Sequence, residues 1–310
     1  MQVSGKVLVC DAIDQKGIEI MKKSGLQVDY KPEIEPDELM RTVKDYDILV
    51  VRSRTKVTRE VIDANAKMKI IARVGVGLDN IDVKHAESKG IQVINAEIAA
   101  MTAVAELVIG LMISLARNIP RADAAIKNGK WLKKELVGIE LKGRYLGIVG
   151  VGKIGRRIGR IARGLSMNII GYDIVPIDQQ FAREVGLIVT DLNTLLSSSD
   201  FVTLHVPLTE DTKHMINEQR LSLMKKSAYL INTSRGAVID EQALYKALKD
   251  GRIAGAALDV FEVEPPTNNA LMQLPNVVCT PHIGAQTYEA QELAANVIAE
   301  RIIQILKGGE

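Results

Sequence analysis

The sequence predicts an α/β protein built from two doubly wound parallel sheets, and three observations predict it. Short apolar runs alternate with amphipathic stretches along nearly the whole chain, and strand and helix in alternation make a parallel sheet with helices on both faces. One apolar run leads directly into Gly150-Val-Gly152-Lys-Ile-Gly155, the glycine spacing of a tight strand-to-helix turn. The length of 310 residues leaves room for two ordinary domains, each with a core of its own.

In the first hundred residues the runs Lys6–Cys10, Gln27–Tyr30, Asp47–Val51, Lys69–Arg73 and Ile91–Ile94 read as strands. Helices are expected between them, for instance over Thr58–Asn65 and Asp82–Lys89. Thr58 and Asp82 are the expected N-caps, since each has an acid within the next few residues. A helix of small and apolar residues is predicted from about Ala99 to Arg117, and a helix apolar on several sides is a buried one. The second alternating series starts at Arg144 with RYLGIVG. It continues through Asn168–Tyr172, Asp200–His205, Ala228–Asn232, Gly255–Val260 and Val277–Thr280, and a helix over Tyr288–Lys307 closes the pattern.

Composition narrows the function classes. Hydrophobic residues at 47% and charged residues at 25% describe a folded chain rather than a disordered one. A net charge of +2 gives no electrostatic footprint for nucleic acid or for a membrane surface. No stretch approaches the roughly 18 apolar residues of a membrane span. The N-terminus MQVSGKVLVCDAID lacks a signal-like apolar segment, so a cytoplasmic address is expected. Cys10 and Cys279 lie in the apolar runs KVLVC and NVVC and are expected to be buried free thiols. No metal is expected.

The glycine motif carries the first chemical signal. Gly150 permits the turn, Gly152 lets the backbone approach a pyrophosphate, and Gly155 lets helix and strand pack closely. The helix N-terminus then offers unpaired N–H groups and partial positive charge to the phosphates. Eighteen residues past Gly155 comes Asp173, at the end of the next strand, where an acid holds ribose hydroxyls and repels a 2′-phosphate. Ile174 and Val175 follow it, with no Arg to accept that phosphate, which selects NAD over NADP. The run Gly147 to Lys153 also resembles a nucleoside-triphosphate loop. That loop needs Ser or Thr next, where this chain has Ile154.

Three polar residues stand just past strands of the second series: Arg235, Glu264 and His282. Singly they read as a surface charge, a turn residue before Pro265-Pro266 and a loop histidine. Together they are a cation for a carboxylate, an acid–base imidazole and a carboxylate to tune it. Strand C-terminal ends gather along one edge of a parallel sheet, where ligands bind.

The segments VRSRTKVT (51–58), ARVGVGLDNID (72–82), GIVGVGKIG (147–155), INTSRGAVID (231–240), ALDVFEVEPP (257–266) and PHIGAQT (281–287) resemble the D-isomer-specific 2-hydroxyacid dehydrogenase family in order and spacing. The resemblance implies a Rossmann-type cofactor domain over 99–286. It implies a smaller, discontinuous, flavodoxin-like substrate domain made of 1–98 and 287–310. It makes Arg235, Glu264 and His282 catalytic. It makes Val76, Gly150, Gly152, Lys153, Ile154, Gly155, Asp173, His205, Val206, Pro207, Thr233, Ser234, Arg235, Asp259, His282, Gly284 and Ala285 the NAD contacts, with Asp259 on the nicotinamide carboxamide. It makes Arg52, Ser53, Arg54, Gly75, Val76, Gly77 and Lys133 the contacts of a small phosphorylated 2-hydroxy or 2-keto acid. A homodimer through the cofactor domain is implied, with the helix 99–117 and the Trp131 arm at its contact.

Two features depart from the family pattern. Ala100 stands where many members acting on the phosphorylated three-carbon acid have Asn. Many also carry a C-terminal domain that binds serine; the sequence given ends at Glu310, and insensitivity to serine is the expectation. Reductases of glyoxylate or hydroxypyruvate share the whole catalytic set. Outside enzymes, the same fold serves as an NAD-sensing corepressor, which turnover of a keto acid with NADH would separate from all of these.

Overall fold

Each alternating series folds into its own sheet, and every strand pair in both sheets is parallel. The computed structural model describes residues 3–308. The chain divides into two compact units, one formed by residues up to Ala103 and again from Ala285, the other by Val104–Gly284.

The first unit holds β1 (Lys6–Val9), β2 (Gln27–Tyr30), β3 (Ile48–Val51), β4 (Ile70–Arg73) and β5 (Gln92–Asn95). Their order across the sheet is β2-β1-β3-β4-β5, the flavodoxin-like winding. The inner strands β1, β3 and β4 are buried on both faces, which is why they read as apolar runs. Val7, Val9, Ile48, Val50, Ile70 and Ala72 point into one core, together with Ala294, Ala295, Ile298, Ala299 and Ile302 of the helix Tyr288–Leu306. Leu8, Cys10, Leu49, Val51 and Ile71 point into the other. The helix Gln15–Lys23 lies so close to Tyr288–Leu306 that a Cβ on Gly17 would come within 2.7 Å of the Ala295 Cβ.

The second unit holds β6 (Tyr145–Val149), β7 (Asn168–Tyr172), β8 (Leu187–Val189), β9 (Phe201–Leu204), β10 (Tyr229–Asn232), β11 (Gly255–Leu258) and β12 (Val277–Cys279). The order is β12-β11-β10-β9-β6-β7-β8, the Rossmann winding extended by one strand. The helix expected from Ala99 begins at Met101. Its part in this unit, from Ala105 to Ala116, packs with Leu146, Ile148, Phe201 and Ile231. Among the described residues no single helix is long and apolar enough to cross a membrane.

Three details differ from the sequence reading. Strand β8 was not anticipated: its apolar run Leu187-Ile188-Val189 has only three residues, two of them exposed at the sheet edge, too short to stand out as a strand. Thr58 occupies the N-cap of Arg59–Asp63 without a side-chain bond, whereas Asp82 caps as expected by accepting from the His85 N–H at 3.1 Å. Both thiols are free, but only Cys10 is buried. Cys279 is exposed because β12 is an edge strand.

Candidate active site

In the second unit the glycine motif leaves the end of β6 between β7 and β9. Gly150 has φ +92°, and a Cβ there would stand 2.5 Å from the His205 carbonyl oxygen. A Cβ on Gly155 would stand 2.3 Å from the Gly150 carbonyl oxygen, whereas one on Gly152 would meet nothing within 4 Å. The first and third glycines are therefore set by the protein's own packing, and the second keeps space clear. Gly152 caps the helix Lys153–Gly164 with no side-chain bond, and a helix N-terminus is a ready anion site. Asp173, just past β7, accepts the N–H of Val151 at 2.7 Å and of Val175 at 3.1 Å. The acid thereby holds the glycine turn.

His205 follows β9, and its Nε2 lies 2.7 Å from Thr203 Oγ1. Burial pushes its pKa down to about 3, so the ring is neutral near pH 7. The Thr233 Oγ1 is buried with no hydrogen-bond partner. A buried orphan hydroxyl is costly unless a ligand completes it. That orphan, the open cradle at Gly152 and the uncapped helix fit a bound dinucleotide.

The candidate residues Arg235, Glu264 and His282 follow adjacent strands, since Asn232, Leu258 and Cys279 stand in register at the ends of β10, β11 and β12. His282 Nδ1 lies 2.7 Å from Glu264 Oε2, the contact expected of an acid–base imidazole held by a carboxylate. His282 has φ +52°, a left-handed turn conformation uncommon for a residue with a side chain. That turn is held by Asp259, itself buried. Its carboxylate accepts from Thr280 Oγ1 at 2.6 Å, Ile283 N at 2.8 Å and Gly284 N at 2.9 Å. A carboxylate has about four acceptor sites, so about one is left for a carboxamide. Most of Asp259 is committed to holding the loop of His282, which the sequence reading did not foresee.

Arg235 leaves β10 in a loop organised by Asn232, which is fully buried. Its amide accepts from Ser234 N at 3.0 Å and Ser234 Oγ at 2.8 Å, and donates to the Arg235 carbonyl at 2.8 Å. Asn232 was missed because it reads as the last residue of an apolar strand. Val206, Pro207, Ser234 and Gly284 sit at the same ends of β9, β10 and β12, and Lys153 and Ile154 open the helix after the glycine loop.

In the first unit, Arg52 to Thr55 follow β3 beside the end of β1, where the strand order reverses, the usual ligand position of this winding. Buried Asp11 accepts from Arg52 N at 2.5 Å and Thr55 Oγ1 at 2.8 Å, and Asn80 donates to the carbonyls of Arg52 and Thr55 at 2.7 and 2.6 Å. The guanidinium of Arg54 is spent on the carbonyls of Cys10, Pro32 and Ile34 and on Asp11. It builds the loop and is not aimed at a ligand. Arg52 makes one longer side-chain bond, 3.1 Å to the Ala12 carbonyl, and lines a pocket with Asp14, Gly75, Ala100 and Gln291. Asp14 and Gln291 were not singled out by sequence; nothing in their spacing marks them.

The Gly75 N–H, one of the expected substrate contacts, donates instead to the Arg73 carbonyl at 2.9 Å. The Val76 carbonyl accepts from Asn95 at 2.6 Å. Ser53 is exposed, Ala285 lines the Arg52 pocket, and Lys133 is exposed on an irregular arm without a hydrogen bond or ion pair to the other candidate residues.

Residues 109–284 match the D-isomer specific 2-hydroxyacid dehydrogenase, NAD binding domain. The chain belongs to this family. Within the family it is 49% identical to D-3-phosphoglycerate dehydrogenase of Methanocaldococcus jannaschii over 304 residues, 98% of this chain and 58% of that protein. It is 46% identical to hydroxypyruvate reductase of Thermotoga maritima, covering 97% of this chain and 98% of that one. The chain thus spans little more than half the length of the first relative and nearly all of the second. The crystal structure of D-lactate dehydrogenase from Aquifex aeolicus complexed with NAD and lactic acid matches with a TM-score of 0.85 at 31% identity, over 97% of this chain and 96% of that one. The 2-hydroxyacid dehydrogenase fold, its NAD domain and the position of the glycine loop within it therefore belong to this chain.

Proposed function

We propose that this dehydrogenase interconverts 3-phospho-D-glycerate and 3-phosphohydroxypyruvate with NAD, the oxidation that leads to serine. The observation that carries the reaction class is the 2.7 Å contact between His282 and Glu264 on a strand edge shared with Arg235. NAD, when bound, supplies the hydride acceptor for oxidation or donor for reduction. The Arg235 guanidinium pairs with the substrate carboxylate and polarises the C2 oxygen. His282 Nε2 takes the proton of the C2 hydroxyl in oxidation and returns it in reduction. Glu264 fixes the tautomer by accepting from Nδ1 and stabilises the imidazolium.

For the phosphate, the support is the relative at 49% identity and the Arg52 side chain on the pocket wall. Arg54 is excluded by its own bonds. Hydroxypyruvate or glyoxylate reduction is the second reading, favoured by the relative matched end to end at 46%. Two copies pairing through the second unit is supported by the exposure of Trp131 and Val137, 78% and 80%. The test compares kcat/KM for 3-phosphohydroxypyruvate and hydroxypyruvate in the parent and in Arg52→Ala. One lost charge-assisted bond contributes roughly 1.5–3 kcal/mol, so the variant should lose about tenfold to a hundredfold on the phosphorylated acid alone. A parent that reduces hydroxypyruvate or glyoxylate as efficiently sinks the phosphate reading and leaves the second.

A further inference from the structure

Glu264 must meet His282 to within a hydrogen bond, yet it stands on Glu262–Pro265, an exposed segment outside any helix or strand. Its own contacts to the chain are the His282 bond and acceptance of the Phe261 N–H at 3.2 Å. Something else must hold the segment, because an unrestrained exposed loop samples many conformations.

The hold is two residues upstream. The Glu262 N–H donates to Glu241 Oε1 at 2.7 Å, and the Glu241 N–H donates back to Glu262 Oε1 at 3.2 Å. The clasp is reciprocal: each carboxylate takes the other residue's backbone donor. Glu241 opens the helix Glu241–Lys249, so its backbone belongs to a rigid element. Its second oxygen accepts from Asn269 Nδ2 at 2.6 Å, which ties in the far end of the loop. His214 Nε2 lies 3.0 Å from Glu262 Oε1. From the other side Gly236, next to Arg235, is pressed onto the same peptide. A Cβ there would fall 1.9 Å from the Phe261 carbonyl carbon and 2.4 Å from the Glu262 nitrogen. The loop of Arg235 and the segment of Glu264 therefore meet at a single peptide, and the Glu241–Glu262 clasp holds that peptide.

We propose that Glu241 and Glu262 are positioning residues: their reciprocal carboxylate–amide clasp sets Glu264 against His282. The proposal rests on the reading of Glu264 and His282 as the acid–base pair. The clasp works through acceptor oxygens: Glu241→Gln keeps one oxygen for the Glu262 N–H and gives up only the bond from Asn269, so it should preserve the clasp, and Glu241→Ala should break it.

The primary readout is the ring N–H proton of His282, a downfield proton resonance when bonded to a carboxylate, assigned by its loss in His282→Asn. It should stand in the parent and in Glu241→Gln, and vanish or move upfield in Glu241→Ala toward its state in Glu264→Ala. Turnover of a 2-keto acid with NADH is the second readout. Displacing a catalytic group by about 1 Å costs up to a hundredfold. A fall in kcat of about tenfold to a hundredfold is therefore expected in Glu241→Ala, with KM and NADH affinity close to the parent's. Should Glu241→Ala fail to fold, Glu262→Ala removes the other half of the clasp and is read the same way. An unchanged His282 resonance in a folded clasp variant overturns the proposal. So does Glu241→Gln behaving like Glu241→Ala. A parent that turns over no keto acid defeats the proposed function, while the resonance still decides the clasp.

Discussion

The glycine loop allows packing and ligand binding to be separated by two substitutions of the same size. Gly155→Ala puts a methyl 2.3 Å from the Gly150 carbonyl oxygen and 3.1 Å from Ile148 Cγ2. Cβ contacts essentially never fall below 3.0 Å, so the helix must retreat from the strand by at least about 0.7 Å. Overpacking of this kind costs about 1–3 kcal/mol. At roughly 2–4 °C per kcal/mol for a chain of this size, the thermal midpoint should fall by about 2–12 °C. Gly152→Ala meets nothing within 4 Å, and its φ of −73° suits any residue. Its stability should shift by no more than about 1 kcal/mol, the difference between Gly and Ala at an N-cap. Its methyl stands instead in the open space proposed for the pyrophosphate. Losing one charge-assisted bond there costs roughly 1.5–3 kcal/mol, so the Kd for NADH should rise about tenfold to a hundredfold. Thermal melts and NADH fluorescence titrations of both variants provide the comparison. A Gly152→Ala protein that binds NADH like the parent, or a Gly155→Ala protein as stable as the parent, would refute the division of labour.

Three further outcomes follow from the site. Asp173→Ala should relax the preference for NADH over NADPH, measured as the ratio of kcat/KM values, and should also lower the melting temperature because Val151 and Val175 lose their acceptor; a parent that uses both cofactors equally defeats the argument. His282→Asn should keep NADH affinity and lose about 10²–10⁴ in turnover, and near-normal turnover would remove His282 from the proton transfer. For His205 the folded pKa of about 3 lies below the ordinary 6.5, so the unfolded chain takes up the proton first. The stability this neutral ring confers is intact above about pH 6.5 and is lost at up to ~1.4 kcal/mol per pH unit as pH falls toward 3. Urea unfolding of the parent and of His205→Gln across that window should show a shallower decline in the variant.

The fold was legible because both sheets are covered on two faces. Runs such as VLVC and ILVV are buried on every side chain, and nothing but a parallel strand between helices needs that pattern. The glycine turn and the His282–Glu264 pair were legible because they follow strands whose ends the parallel winding brings to one edge. The residues that hold the site were not legible. Asp11 and Asp259 hold their loops by accepting from backbone atoms 24 to 44 residues away, and no local spacing encodes such a bond; Asn232 bonds only two and three residues on, but reads as the end of an apolar strand. The converse error has the same root. Arg54 reads as an anion binder two residues from Arg52, yet the carbonyls of Cys10, past β1, and of Pro32 and Ile34, past β2, accept from its guanidinium.

The split makeup of the first unit bears on how the chain is built. Its core on one sheet face contains both Val7 and Val9 and, nearly three hundred residues later, Ala294, Ile298 and Ile302. Val104–Gly284 lies entirely between. A ribosome therefore releases every residue of the second unit before it supplies the helix that closes the first. Domains fold as units during synthesis, normally from the N-terminus onward, but here the order is inverted. The NAD domain can complete its core while β1 to β5 are still exposed on one face. That interval, with a five-stranded sheet lacking one of its covers, is when the nascent chain is most open to misassociation, and chaperone capture should concentrate on the segment made first.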